Sequence, residues 1–247
     1  MFIHQTDAHC HLNLTDDFDY SDLFGINICA SACFVDEWKL LFDFEKLDLK
    51  KSYGVYPSLQ KSSADKTAIS EGELFSKYLP TLQEFLINAD AIGEIGLDKR
   101  FENDVPASLQ EKIFCTQLEL ADKYNLPVVI HCVGKWGALQ DILKSWVGRE
   151  KAKRFLLHAP NCSPEQVDCF LQMGGFFSFG ERELLSEKSV CCAKKIPSDK
   201  ILIESDSFPS RKILDRTILK LAEVRNENAE DLSENIYANF LEFYKNE

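Results

Sequence analysis

Short apolar runs alternate with longer amphipathic ones along the whole chain. Eight short runs stand out: Met1–Thr6, Ile26–Phe34, Tyr53–Tyr56, Ala91–Leu97, Pro127–His131, Arg154–His158, Gly175–Phe179 and Ile201–Glu204. Most are rich in Ile, Val, Phe and Leu and read as buried strands. Helical patterns fall between them at Glu71–Ile87, Ala107–Tyr124, Gly137–Val147, Pro164–Met173 and Arg211–Val224, and a last one, Glu230–Tyr244, follows. Ser163-Pro164 reads as a cap followed by a first-turn proline, and Gly174 as the glycine that stops the same helix. Eight strands alternating with helices predict a (β/α)8 TIM barrel, an α/β fold. An open doubly wound sheet is the alternative, but no G-x-G-x-x-G follows the first run, so its dinucleotide-binding form has no support. No linker or internal repeat divides the chain. Residues 1–247 are therefore expected to form a single domain.

Composition narrows the function. A net charge of −12 argues against broad adhesion to nucleic acid or an anionic membrane. It leaves a nucleic-acid enzyme open, because bound cations can reverse the field locally. The opening "MFIHQTDAHC" has no basic segment or long apolar core of the signal-peptide kind, and no apolar run is long enough to cross a bilayer. The nine cysteines show no C-x-x-C spacing and read as reduced thiols in a cytoplasmic protein.

In a (β/α)8 barrel the active site lies at the C-terminal ends of the strands. The first run leads into His9-Cys10-His11, the fourth gives Glu94 and Asp98, the fifth His131, the sixth His158, and the eighth Glu204 and Asp206. Four of the five histidines thus fall at strand ends. Taken alone, the His9–His11 pair reads as well as two loop residues as it does as a ligand pair, and His131 and His158 each read as core histidines bonded to a backbone carbonyl. Glu94, inside "AIGEIGLD", is harder to dismiss, since a carboxylate is rarely buried unless paired or on a metal. Its flanking Gly93 and Gly96 suggest close backbone approach. His9 and His11 share one face of an extended chain, with Cys10 turned away. Cys132 is likewise turned away from the face of His131. Together, four imidazoles and two carboxylates suit divalent metal ions: Zn, Mn or, less naturally, Mg. Six donors exceed what one tetrahedral zinc needs, whereas a bridged pair about 3.5–4 Å apart would use them all.

The stretches "TDAHCHLN", "AIGEIGLD", "QLELADKYNLPVVIH", "LLH" and "ILIESDSFP", with a weaker "NFLEFY", resemble the TatD family of metal-dependent deoxyribonucleases, within the amidohydrolase-type metallo-barrels. The resemblance runs from Asp7 to about residue 243. It implies a two-metal TIM-barrel phosphodiesterase. One ion would be held by His9, His11, Glu94 and Asp206, and the other by Glu94, His131 and His158, with Glu94 bridging. Four departures lie outside the implied ligands. Tyr56 in "GVYP" stands where the family has a histidine near the substrate phosphate. Val133 stands where it has an arginine, Lys99-Arg100 where aromatic residues are common, and "HAPNC" where it has H-x-F-x-G.

On this reading Asp206 accepts the proton of the attacking water and acts with Glu94 as the catalytic pair. Asp7 or Asp98 orients an imidazole from behind. Tyr56, Lys99, Arg100, Lys135 and Arg182 are the candidate substrate contacts, although a solvated surface charge is the plainer reading of each cation taken singly. The expected substrate is DNA, single-stranded or at ends, bound weakly and salt-sensitively by a monomer without a membrane partner. Two alternatives are an amidohydrolase-type enzyme acting on a small ester, lactone or amide, and a weakened metal-binding relative with a non-catalytic role.

Overall fold

Eight parallel strands pair in chain order, β1 through β8. They are β1 Thr6–Cys10, β2 Asn27–Ala32, β3 Lys50–Tyr53, β4 Ala91–Asp98, β5 Val128–Val133, β6 Phe155–His158, β7 Phe176–Phe179 and β8 Ile201–Ile203. The computed structural model describes residues 2, 4–14, 19–62, 64–148 and 153–245. Just past β8, the Asp206 N–H donates to the His9 carbonyl at 3.2 Å and the His11 N–H to the Ser207 carbonyl at 3.1 Å. These bonds draw the last strand end against the first at the C-terminal rim. The result is the expected TIM barrel, nearly closed.

The helices are α1 Trp38–Phe42, α2 Glu71–Glu73, α3 Leu79–Leu86, α4 Ala107–Tyr124, α5 Trp136–Val147, α6 Pro164–Gln172, α7 Glu187–Lys195, α8 Arg211–Arg225 and α9 Ala229–Phe243. A π-helical turn, Leu74–Tyr78, joins α2 to α3. Ser163 caps α6 in a capping box with Gln166, and Gly174 follows at φ +84°. α1 and α7 lie outside the helical patterns read from the sequence. No helix is long and apolar enough to cross a membrane among the described residues.

Runs such as Val128–Ile130, Phe155–Leu157 and Ile201–Ile203 are fully buried. Each such side chain contributes roughly 1.5–3 kcal/mol by leaving water. Helix α9 packs across β1 and β8, where the Tyr244 hydroxyl donates to the Ala8 carbonyl at 2.6 Å and Asn239 Nδ2 donates to the Ile201 carbonyl at 2.8 Å.

Two strands begin elsewhere than their apolar runs suggest. Met1 and Ile3 of the expected Met1–Thr6 strand lie outside the described residues, and β1 starts at Thr6 and carries Asp7 and His9 within it, fully buried. β3 occupies Lys50–Tyr53 instead of Tyr53–Tyr56, its first lysine anchored to Asp90 at 2.7 Å. In both cases polar side chains with partners take strand positions that an apolar pattern cannot reveal.

Register slips at two places. Between β1 and β2 it shifts from Asp7–Ile28 to Cys10–Ala30, and between β4 and β5 from Ile92–Val128 to Ile95–Ile130. Such bulges re-aim side chains, and these two carry His9 and Glu94. The Gly93–Glu94 peptide is cis. Neither nearby glycine has room for a side chain: a Cβ on Gly96 (φ +149°) would sit 1.9 Å from the His131 carbonyl oxygen, and one on Gly93 2.8 Å from that of Val129.

Candidate metal centre

The six donors singled out in the sequence converge at the C-terminal mouth of the barrel, in two groups that share Glu94. In the first, His9 Nε2 lies 3.6 Å from Glu94 Oε2 and 3.5 Å from Asp206 Oδ1. His11 Nε2 lies 3.7 and 3.8 Å from the same two oxygens. In the second, Glu94 Oε1 lies 2.7 Å from His131 Nδ1 and 2.8 Å from His158 Nε2, and those nitrogens are 3.1 Å apart. Glu94 therefore presents one oxygen to each group.

The other nitrogen of His9, His11 and His131 is hydrogen-bonded, and that of His158 faces a carboxylate at ion-pair distance, which orients each ring and frees the converging atom as a donor. His9 Nδ1 meets Ser31 Oγ at 3.0 Å, and His11 Nδ1 donates to the Ser31 carbonyl at 3.3 Å. His131 Nε2 meets Asp98 Oδ2 at 2.9 Å. Glu204 Oε1 stands 3.4 Å from His158 Nδ1 and itself accepts the Ala159 N–H at 3.0 Å, while Ser178 Oγ donates to the other Glu204 oxygen. The Arg100 Nε donates to both oxygens of Asp98 at 3.0 Å.

Buried charges dominate the electrostatics. Burial works against the charged form of His9, but Asp206 and Glu94 outweigh it and push its pKa up to about 9. Burial likewise opposes a charged His158, yet Glu94 and Glu204 hold it well above the usual imidazole range. Burial would raise Glu94, but His158 and His131 keep it well below the carboxylate range. Asp206 is lowered against burial by His9 and His158, whereas burial, only partly offset by His158, raises Glu204. The pattern is that of several carboxylates competing for positive charge.

A cation fits this demand. His9 Nε2 is fully buried and has no hydrogen-bond partner. Its 3.5–3.6 Å distances to carboxylate oxygens are long for hydrogen bonds. They match donors that would each stand about 2.0–2.2 Å from a shared zinc-like ion. Hard carboxylates with imidazoles suit divalent transition metals.

The outer residues are placed less uniformly. Tyr56 Oη lies 3.1 Å from His131 Nε2 and its ring lines the cavity over the centre. Arg100 lines it too, but its guanidinium is tied to Asp98. Lys135 is paired with Glu102 at 2.7 Å, and Lys99 packs beside Gly134, so neither lines the cavity. Arg182 is exposed on the wall of an adjoining cavity. Among the described residues, Asp7 hydrogen-bonds to no imidazole nitrogen. Its Oδ1 accepts the Ser205 N–H at 3.0 Å and the His9 N–H at 3.3 Å, and so positions backbone. Three residues escaped the sequence reading. Ser31 and Cys33 carried no signal inside the apolar "CASAC" run, although Cys33 stands within 4.8 Å of His11 and Glu94 donor atoms. Glu204 was visible at a strand end but given no role.

Known proteins resemble this chain in sequence and fold. The family model described as TatD related DNase matches residues 6–245. Human deoxyribonuclease TATDN3 is 27% identical over 218 residues, spanning 81% of this chain and 77% of its own. A 3'-5' ssDNA/RNA exonuclease TatD from Rahnella is 31% identical over 129 residues, about half of either chain (49% and 46%). The crystal structure of a TatD-family hydrolase from Entamoeba histolytica superposes with a TM-score of 0.78 at 17% identity, covering 99% of each chain. The chain belongs to the TatD-related DNase family of metal-dependent hydrolases.

Proposed function

We propose that this protein is a deoxyribonuclease that cleaves phosphodiester bonds of single-stranded DNA or DNA ends, using two divalent cations, Zn, Mn or Mg. The observation that supports this best is Glu94, whose two oxygens serve two separate histidine groups. His9, His11, Glu94 and Asp206 would hold one ion, and Glu94, His131 and His158 the other. When bound, such ions acidify water and draw electron density from a phosphoryl oxygen.

The chain's own residues supply the rest. Asp206 is partly exposed, lines the cavity and keeps a lowered pKa, so at neutral pH its carboxylate is free to take a proton from the attacking water. Asp98 and Glu204 hold His131 and His158 in orientation, and Ser31 does the same for His9 and His11. Glu94, fixed between two bulge-flanking glycines, keeps the two groups at a set separation. Human TATDN3 is named a deoxyribonuclease and the Rahnella relative an ssDNA/RNA exonuclease, which supports a nucleic-acid substrate.

With a net charge of −12 and few cations at the mouth, DNA binding is modest and falls with salt. The nine free cysteines suit the reducing cytoplasm. A monomer suffices, because all six donors come from one chain. A second reading, hydrolysis of a small ester or lactone, draws on the aromatic wall that Phe34 and Tyr56 give the cavity.

The test is turnover of metal-reconstituted protein on single-stranded DNA beside carboxylic ester and lactone substrates. DNA cleavage that drops about 10²–10⁴-fold in Asp206→Asn, with metal content retained, is the expected result. Activity on esters or lactones alone would overturn the nuclease reading.

A further inference from the structure

The two cavities that meet at the metal centre differ in chemistry. One, of about 330 Å³, is walled by Asn161, Ser186, Ser189 and the exposed Arg182. The other, of about 440 Å³, is walled by Leu12, Phe34, Tyr56 and Glu37. The Phe34 and Tyr56 rings lie 5.8 Å apart at 54°, and Phe101 braces Tyr56 from behind at 5.9 Å, edge to face. Among the described residues the one cation lining this second cavity besides the site's imidazoles is Arg100, and Asp98 holds it. A phosphate has little to bind there. A flat aromatic ring does, because any base can stack on an aromatic side chain.

Glu37 gives the cavity an edge as well as a face. Its carboxyl lies on the same wall, near the backbone amides of Cys33 and Phe34. Burial, only partly offset by those amides, raises its pKa to about 7. Nothing in the hydrolysis proposed above uses it. A carboxylate accepts best from two N–H groups side by side. Of the four DNA bases, guanine alone carries adjacent imino and amino N–H donors on its Watson–Crick edge. Adenine and cytosine offer one amino group beside an acceptor, and thymine an imino group between two carbonyls.

We infer that the aromatic cavity is a nucleobase pocket: Phe34 and Tyr56 take the face of the base flanking the scissile phosphate, Glu37 accepts from its edge, and guanine is preferred. The adjoining cavity with Arg182 then takes the sugar–phosphate chain. This inference rests on the nuclease reading and gives it a substrate preference.

The test uses the metal-loaded full chain and single-stranded thymidine oligonucleotides carrying one dG, dA, dC or abasic nucleotide, placed at the last or penultimate position of either end. The expected kcat/KM order is dG first, dA and dC next and abasic last, with a base-over-abasic advantage of roughly five- to a hundredfold. Phe34→Leu keeps apolar bulk but removes the aromatic face, and should bring base-bearing substrates down toward the abasic rate. Glu37→Gln should erase the dG advantage while leaving dA and dC above the abasic substrate. Cleavage of all these oligonucleotides at one rate by the unmodified enzyme overturns the pocket but leaves the nuclease reading standing. Failure to cleave any of them overturns both.

Discussion

The two halves of the donor cluster are built from the same residue types but held differently. Around Glu94 Oε2 and Asp206 the distances are 3.5–3.8 Å, and His9 Nε2 is left without a hydrogen bond. Around Glu94 Oε1 they contract to 2.7–3.1 Å, the range of shared protons. The first half stays open because its histidines lie two residues apart, His9 in β1 and His11 just past its end, and Ser31 pins both rings. Its remaining carboxylate, Asp206, is fixed by a backbone bond to His9. The second half draws its histidines from two strands, β5 and β6, each backed by a carboxylate, so its rings can close on Glu94. One half is preorganised by backbone and hydroxyl, the other by charge.

The largest effect should come from removing what the halves share. Glu94→Gln keeps the shape but exchanges one oxygen for a donor and removes the charge that both histidine groups face. Bound metal should fall below one ion per chain, and turnover on single-stranded DNA should fall by more than the roughly 10⁴-fold that losing a general base can cost. Metal analysis after dialysis, beside rates, checks both. Retention of two tightly bound ions in Glu94→Gln would mean that the halves do not depend on a common carboxylate.

Separating the halves is a finer test. Asp98→Asn should weaken the His131–His158 ion about 10–100-fold, the usual consequence of losing a carboxylate behind a ligating histidine, and leave the other ion in place. Ser31→Ala should act on the first half alone and by less, since the Ser31 carbonyl still receives His11. Calorimetric titration with Mn or Zn would resolve two affinities, each variant moving a different one. Equal loss of both in either variant would show that the halves are not separately supported.

This contrast also marks how far the sequence could be read. The barrel was legible because runs such as "VVIHC" and "FLLHAP" place a polar terminator after a buried strand, and the Ala107–Tyr124 helix kept the bounds its periodicity predicts. The donors were legible because imidazoles and carboxylates at strand ends have few other uses together. The residues that support them were harder to see. Asp98 is expected behind an imidazole but matched to no ring; it meets His131 across the β4–β5 pair, Glu204 reaches His158 past β7, and Ser31 serves His9 from β2, so no spacing in the chain announces these pairings. Lys135 shows the converse: a cation near the mouth in sequence is spent on Glu102 in space. β1 escaped its apolar run because the function sits inside the strand, where Asp7 and His9 replace the residues that would have marked it.

Asp7 offers the smallest and most discriminating test of backbone preorganisation. Its Oδ1 accepts the N–H groups of His9 and Ser205, tying β1 to the chain leaving β8 beneath the first half. Its Oδ2 is buried with no partner. Burial raises its pKa to about 7 from 3.8, the Ser205 bonds only moderating the rise. Because the folded-state pKa is the higher one, folding favours the protonated carboxyl. The favourable contribution is whole below pH 3.8, shrinks as pH rises and is gone above about 7, where a buried, half-satisfied carboxylate remains. Asp7→Asn keeps an acceptor at the Oδ1 position and abolishes the charge. In urea unfolding of the metal-free protein, this variant should exceed the parent by roughly 1–4 kcal/mol at pH 8, the advantage shrinking toward pH 5. Because the backbone bonds survive, its first-half metal affinity should change by less than that of Ser31→Ala. A stability gap that stays constant from pH 5 to 8 would show that Asp7 is not held protonated by burial. A collapse of first-half affinity instead would mean that this half, like the second, is organised by charge.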